Sequence, residues 1–284
     1  ARTVPTDTPL WREWFTTWLL AMVSQWQNQS SRLYGNSVAP LLISPQGYNK
    51  STFCRRLLPD ALKWGYTDSL ALSDRRQVML AMSQQLLINL DEFNQISPRV
   101  QQGFLKNIIQ LPSVKVKRPF GTHIEELPRK ASFIATSNMT DILADPSGNR
   151  RFIGIELTAP IDTSRVPDHR QLFAQALQLL RNGRRSWFDK AETEQIMLWN
   201  RRYEIQEPAD QYFSLCFSVA ADPLDPAAEW LSTAEIFDVI KQKVGSSLKA
   251  NTLIAFGRKL ANMPGMHRRK CETCTRYLVK RVGQ

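Results

Sequence analysis

Eight consecutive residues, Ser44-Pro45-Gln46-Gly47-Tyr48-Asn49-Lys50-Ser51, carry the side chains and the flexible points that a polyphosphate needs. They align with the phosphate-binding loop G-x-x-x-x-G-K-[ST], with Ser44 and Asn49 standing at the two defining glycine positions. Asparagine enters positive φ more readily than most residues with a side chain, and Gly47 supplies another flexible point. The amides of such a loop can therefore still face an anion at a helix start. Lys50 would then reach the β- and γ-phosphates of ATP, Ser51 would ligate Mg2+, and Gly47, Asn49 and Thr52 would line the nucleotide. Further along, the apolar run Leu86-Leu87-Ile88-Asn89-Leu90 ends in Asp91-Glu92. Two adjacent carboxylates there allow Asp91 to sit beside the metal and Glu92 to orient and polarise an attacking water. A third run ends Ala135-Thr136-Ser137-Asn138 and puts the Asn138 amide where a γ-phosphate sensor would lie. Asp145-Pro146-Ser147-Gly148-Asn149-Arg150-Arg151-Phe152 then delivers two arginines at the start of a strand. A guanidinium supplied by a neighbouring subunit contributes on the order of 10³–10⁵ in phosphoryl-transfer rate. Each piece has a plainer reading as a surface lysine, a solvated acidic turn, a helix cap or surface ion pairs. Their order and spacing favour the chemistry.

These residues need strands that end together. Leu41-Leu42-Ile43 reads as a strand feeding the loop, with a helix from Ser51 until Pro59 stops it. Residues 86–90, 131–136 and 152–157 read as further buried strands, with helical segments near 74–85 and 98–110. Strands alternating with helices imply an α/β fold with a parallel central sheet covered on both faces. Trp11, Phe15, Trp18, Leu19 and Val23 recur at helical spacing, so residues 9–27 read as an amphipathic helix whose tryptophans serve the core. Residues 168–204 read as helices around the basic turn Arg181-Asn182-Gly183-Arg184-Arg185.

The chain has 284 residues, 43% of them hydrophobic, with 12 Gly, 16 Pro and 4 Cys. Disorder, collagen and a disulfide scaffold are excluded, and no stretch reads as a bilayer span or secretory leader. A soluble chain in a reducing cytoplasm is the expectation. The start at Ala1 is read as the cut end of something longer. The charge, 37 Lys+Arg against 26 Asp+Glu or +11, favours a polyanionic partner. Most of the excess lies in residues 239–284, whose eleven bases (Lys241, Lys243, Lys249, Arg258, Lys259, Arg268, Arg269, Lys270, Arg276, Lys280 and Arg281) face Glu272 alone. Residues 208–238 hold six acids and no base and, with Pro208, Pro223 and Pro226, read as a connector. A helix from Thr233, a second over 251–263 and a basic hairpin over 266–282 resemble a winged helix. Such a module would take duplex DNA through Arg258, Lys259, Arg268, Arg269 and Lys270, or serve protein docking. Between the carboxylate pair and Asn138, residues 114–124 read as a hairpin with Lys115 and Lys117 on one face and Arg118, Phe120 and His123 near its tip, suited to phosphates and bases. His267-x₃-Cys271-x₂-Cys274 lacks a fourth ligand and reads as a hairpin end rather than a metal site.

The series Gln46-Gly47, Lys50-Ser51-Thr52-Phe53, Leu90-Asp91-Glu92, Pro128-Arg129-Lys130, Thr136-Ser137-Asn138 and Gly148-Asn149-Arg150-Arg151-Phe152 resembles the virulence-associated E family of phage and mobile-element proteins, grouped with the superfamily 3 AAA+ helicase ATPases. The resemblance covers roughly residues 10–160 and departs from the family at Ser44 and Asn49. It implies an AAA+ P-loop core in which Lys50 and Ser51 are Walker A, Asp91 and Glu92 Walker B, Asn138 sensor 1, and Arg151 with Arg150 the arginine finger. It also implies that the 114–124 hairpin grips single-stranded DNA in a pore. The division expected is a helical segment 1–36, an ATPase core 37–160, a helical segment 161–207, the connector 208–231 and a winged-helix-like domain 232–284. The activity expected is an ATP- and Mg2+-dependent DNA helicase or translocase working as a homo-oligomeric ring, a hexamer, beside a primase domain or partner. Two rivals stand beside it. One is a nucleotide-gated DNA-binding or origin-loading module with little hydrolysis, and the other is a degenerate ATPase kept for assembly.

Overall fold

The structure is a computed structural model and describes residues 1–27, 35–117, 122–145, 148–205, 208–244, 252–271 and 274–282. The chain forms two compact units, Ala1–Ala144 with Asn149–Glu204, and Asp145–Gly148 with Ile205–Gln284. No helix among the described residues is long and apolar enough to cross a membrane.

The first unit contains β1 (Ala39–Ile43), β2 (Tyr66–Thr67), β3 (Leu87–Leu90), β4 (Ser113–Lys117), β5 (Ile124–Pro128), β6 (Ser132–Ser137) and β7 (Phe152–Glu156). Five of these make a sheet in the order β2-β3-β6-β1-β7, with every pairing parallel. Strands β1, β3 and β6 are buried throughout, as uninterrupted apolar runs must be when helices cover both faces. The side-chain period of two divides them: Leu42, Leu87, Ile134, Ile153 and Ile155 join one core, and Leu41, Ile43, Ile88, Leu90, Phe133 and Ala135 the other. The first core takes helix α1 (Trp11–Trp26), helix α2 (Lys50–Arg55) and the helix Lys190–Asn200. The second takes helix α3 (Arg75–Gln84), the helical stretch over 98–108 and the inner face of β4.

Helix α1 is less one-sided than its spacing suggests. Beyond its first turn it is buried nearly all round, because the helix His169–Arg181 packs over the side turned from the sheet through Leu20, Val23 and Ala176. Its polar atoms are spent on strands: Trp18 Nε1 donates to the Phe133 carbonyl at 3.2 Å, and Gln25 Nε2 to that of Ala131 at 2.6 Å. Residues 1–27 are therefore part of the first unit's core, and the helices His169–Arg181 and Lys190–Asn200 belong to the same unit.

Beneath the amino ends of the strands lies Arg129, 2% exposed. Among the described residues its guanidinium donates only to backbone carbonyls: Ala131 at 2.7 Å, Ile109 at 2.6 Å, Leu111 at 3.2 Å and Asn36 at 3.0 Å. It also lies over the Phe133 ring, 5.1 Å from the centroid. Burial pushes its pKa down to about 9, so it remains charged at neutral pH. One side chain thereby joins the chain entering β1, β4 and β6.

The second unit runs helix Pro208–Cys216, β8 (Phe217–Val219), β9 (Ala228–Ser232), helices Thr233–Val244 and Thr252–Ala261, then β10 (Arg268–Lys270) and β11 (Thr275–Arg281). Antiparallel β11 pairs with β9 along one edge, and with β10 and then β8 along the other. The helices expected from Thr233 and over 251–263 and the C-terminal hairpin are present. The connector expected over 208–231 is a helix and two strands instead. Phe213, Cys216 and Phe217 are spaced to face one core with Ile236, Phe256 and Tyr277, and that burial outweighs the acidic, proline-bearing composition.

Replacing Arg129 with methionine would leave those carbonyls without their donor. The expected loss is about 3 kcal/mol or more of unfolding free energy, read from urea unfolding at constant m-value. A loss below about 1 kcal/mol would deny Arg129 this role.

Candidate functional site

In the sheet order, β1 lies between β6 and β7: the chain leaves β1 toward β2 on one side, and the β6–β7 connection returns past β1 to the other, so connections run in opposite senses around β1 and a crevice opens at the carboxyl edge. The loop 44–49 occupies that crevice. Gly47 has φ 81° and Asn49 φ 61°, ψ 22°, so both take the left-handed conformation that turns backbone amides inward ahead of α2. The Asn49 side chain holds the turn from outside by donating to the Ile161 carbonyl at 3.1 Å.

Lys50 is 7% exposed, and its ammonium donates to the Ser44 carbonyl at 2.7 Å, Ser44 Oγ at 2.9 Å, the Pro45 carbonyl at 2.9 Å and Asn138 Oδ1 at 3.0 Å. Burial pushes its pKa down while the Asp91 carboxylate pulls it up. Ser51 Oγ donates to Asp91 Oδ1 at 3.0 Å, and Thr136 Oγ1 donates to the same oxygen. The ends of β1, β3 and β6 thus converge on one cavity of about 320 Å³, lined by Gly47, Lys50, Ser51, Asp91, Glu92 and Asn138 among others, Asn49 and Thr52 included. That volume is within the range of small-molecule sites, about 300–1,000 Å³. Glu92 also adopts left-handed backbone, φ 49° and ψ 49°, and Gln95 Nε2 donates to its carboxylate. A buried ammonium beside inward amides suits a phosphate, and a hydroxyl against a carboxylate is a donor set for a hard divalent cation. Cys54, on the buried face of α2, is fully buried, and burial pushes its thiol pKa up, which leaves it unreactive.

Thr136 and Tyr48 line the site without a role having been assigned to them from the sequence, and Ser44, read there as a departure from the motif, bonds Lys50. Thr136 could have been found from Asn138, since residues i and i+2 share a strand face. Ser44 stands where the motif has glycine, and its hydroxyl becomes an acceptor for Lys50.

The two arginines are elsewhere. Arg151's carbonyl accepts the Ala39 N–H at 2.8 Å, at the amino end of β1, so it lies a strand length, about 13 Å by the β-rise, from the loop that follows Ile43. Arg151 is half-buried and donates to Gln110 Oε1 at 3.1 Å, whereas Arg150 is exposed. The basic hairpin is β4–β5, with Lys115 and Lys117 exposed on one face and Val114 and Val116 buried on the other. Lys115 pairs in register with Glu126, so the lysine face of the stem is electrically mixed and not basic alone. His123 is exposed, and Arg118 and Phe120 lie outside the described residues.

In the second unit the acids meet many of the bases: Lys280 pairs with Asp225, Arg281 with Glu229 at 3.1 Å and Arg276 with Glu235 at 3.8 Å. Lys259 Nζ donates to the Ile205 carbonyl at 2.6 Å. Arg258, Arg268, Arg269 and Lys270 are exposed, with Arg269 over the Trp230 ring at 6.0 Å. His267 Nε2 is 3.1 Å from the Ala221 carbonyl oxygen, and the Cys271 N–H donates to the Cys274 carbonyl at 2.8 Å, in keeping with a hairpin end.

The first unit is therefore a mixed α/β domain on a central five-stranded parallel sheet, with an anion-suited cavity at its carboxyl edge. The chain belongs to the virulence-associated protein E-like domain family, whose model matches residues 3–205. Residues 206–279 match a domain of unknown function, DUF3874, so the two family matches divide the chain where its two compact units meet in sequence. Among solved structures, the apo structure of NrS-1 C terminal region (305-718) shares 14% identity, covers 94% of this chain and 71% of its own, and has a TM-score of 0.48. The A form apo structure of the NrS-1 C terminal region shares 14% identity at the same coverages, with a TM-score of 0.46. No curated protein matches the chain.

The left-handed loop gives a stability test. Asn49→Gly relieves the backbone and loses the bond to Ile161, so its unfolding free energy should stay within about 1 kcal/mol of the parent. Asn49→Val keeps neither advantage and should lose about 2 kcal/mol or more, measured by urea unfolding. Equal stability of the two variants would contradict the assigned conformation.

Proposed function

We propose that the chain is an AAA+ P-loop ATPase of the superfamily 3 type, which hydrolyses ATP to move on DNA in the replication of a phage or mobile element, as a ring of identical subunits. The observation that carries this reading is the convergence of Lys50, Ser51, Asp91 and Asn138 from three strand ends on one cavity. The sheet order supports it, since β1 sits beside β6 and β7 with β3 next outward, the arrangement that brings a phosphate loop and a carboxylate strand to one crevice. Lys50 and the amides around Gly47 and Asn49 would bind the phosphates, and Asn138 would sense the γ-phosphate. Ser51 and Asp91 would hold Mg2+, which when bound offsets the phosphate charge. Glu92 would turn from Gln95 to orient the water that attacks the γ-phosphorus as the bond to ADP breaks.

The position of Arg150 and Arg151 supports shared sites. At the amino end of β7 they are a strand length from their own cavity and could serve only a neighbour's. Arg150, exposed, is better disposed to reach across than Arg151, which Gln110 holds. The outward lysines of β4 and the exposed Arg258 and Arg268–Lys270 would supply DNA contacts, the latter set in a module of winged-helix type whose wing is β10–β11. A second reading, a nucleotide-gated DNA-binding module with little hydrolysis, draws on one specific feature. The Lys50 ammonium already has four oxygen acceptors from its own chain, three of them in the loop itself. A phosphate would have to displace some of them.

Steady-state ATP hydrolysis with and without single-stranded DNA decides between the two. The expected outcome is DNA-stimulated turnover that Lys50→Ala abolishes and that Glu92→Gln lowers about 100-fold or more while nucleotide still binds. Nucleotide and DNA binding without turnover in the parent chain would select the gated module. DNA affinity should also fall steeply with salt, and Arg268→Ala with Lys270→Ala should flatten that log–log slope by about 2. An unchanged slope would remove β10 from the DNA contact.

A further inference from the structure

Asn200, the last residue of the helix Lys190–Asn200, is fully buried, and its amide is spent on the strand that follows the two arginines. Nδ2 donates to the carbonyls of Asn149 and Phe152, each at 2.6 Å, and Oδ1 accepts the Gly154 N–H at 3.0 Å. The two carbonyls flank Arg150-Arg151 on either side. Neighbouring residues of the same helix end complete the hold: Trp199 Nε1 donates to the Gly154 carbonyl at 2.8 Å, and Glu204 Oε1 accepts from Asn149 Nδ2 at 2.9 Å. Gly154 permits the approach, since a Cβ there would lie 2.2 Å from the Tyr203 ring. Strand β7 is the last of its sheet, so Asn200 takes the place that a further strand would occupy along its outer edge.

We propose that Asn200 is the positioning residue for the arginine pair, fixing the backbone on both sides of Arg150 and Arg151 so that their guanidinium groups meet a neighbouring subunit's nucleotide in one geometry. The inference rests on the proposed trans role of those arginines. Asparagine fits the task because it offers two amide hydrogens and one acceptor at short reach, whereas aspartate would set a carboxylate against two carbonyl oxygens. Long side chains on an unanchored loop would scatter, and misplacement by about 1 Å can cost on the order of 100-fold in rate.

The test compares Asn200→Ala with Arg150→Ala in DNA-stimulated ATP hydrolysis by the full chain, alone and mixed with Glu92→Gln subunits. Alone, Asn200→Ala should lose about 10–100-fold in turnover while its Kd for a fluorescent ATP analogue stays within about twofold of the parent. Mixed, it should regain turnover as Arg150→Ala does, because its own intact cavity then receives arginines from the Glu92→Gln neighbour. Rescue of Arg150→Ala without rescue of Asn200→Ala would overturn the inference, as would a loss of nucleotide affinity that matches the loss of turnover. If neither Arg150→Ala nor Arg151→Ala lowers turnover, the trans reading itself falls, and this inference with it. Should Asn200→Ala not fold, Glu204→Ala carries the test from a half-buried position. A drop of about 3–10-fold with the same rescue supports the proposal, and normal turnover overturns it.

Discussion

Strand β1 is the reference for everything in the first unit. It pairs in parallel with β6 on one side and β7 on the other, strands that come much later in the chain, and its five residues are buried on both faces. A strand so placed can show polar chemistry only at its ends. At the carboxyl end the loop 44–49 closes on Lys50, and the ammonium reaches Asn138 at the end of β6. At the same edge Ser51 and Thr136 share Asp91, which leaves β3. The cavity is a consequence of strand order: the same residues on a sheet that followed the sequence order would have ended apart.

The amino edge is organised by a different device. Arg129 and Asn200 are both buried, and each spends its polar atoms on backbone. Arg129 gathers the segments entering β1, β4 and β6, and Asn200 secures the loop entering β7. Arg129 has no carboxylate partner among the described residues and Asn200 is a neutral amide, so each is satisfied only while several backbone groups stay in place, which makes that edge cooperative. The two edges thus differ: a cradle suited to anions at one, and at the other a braced backbone that carries the exposed Arg150 and the half-buried Arg151.

In the second unit, charge totals and charge placement diverge. The eleven bases of residues 239–284 are counted in the sequence as one patch, yet Lys280, Arg281 and Arg276 have carboxylate partners from the acidic stretch before them. What remains outward among the described residues is a smaller set, Lys241, Lys243, Arg258 and the three residues of β10. The hairpin of β4 and β5 behaves alike, since Glu126 stands across from Lys115. Antiparallel pairing brings together residues that a linear charge count treats as separate neighbourhoods.

Most of the strands and the residues of the loop 44–49 were legible because their signals are local. An apolar run followed by polar residues marks a strand end, Gly47 and Asn49 tolerate positive φ, and Lys50-Ser51 opens a helix. The second unit's first half was not legible, because acids and prolines disguise a segment whose few apolar residues suffice once Ile236, Phe256 and Tyr277 close over them. Helix α1 reads as amphipathic until a helix from far along the chain covers its other side. By itself the sequence determined an alternating α/β core, its buried strands and the residue types available at their ends. Only the tertiary structure decided that Thr136 lines the cavity and Ser44 accepts from Lys50, that Arg150 and Arg151 stand at the opposite edge, and that Asn200 bonds the backbone on both sides of them. Strand order and long-range hydrogen bonds fix those relations, and neither is a property of any single stretch of chain.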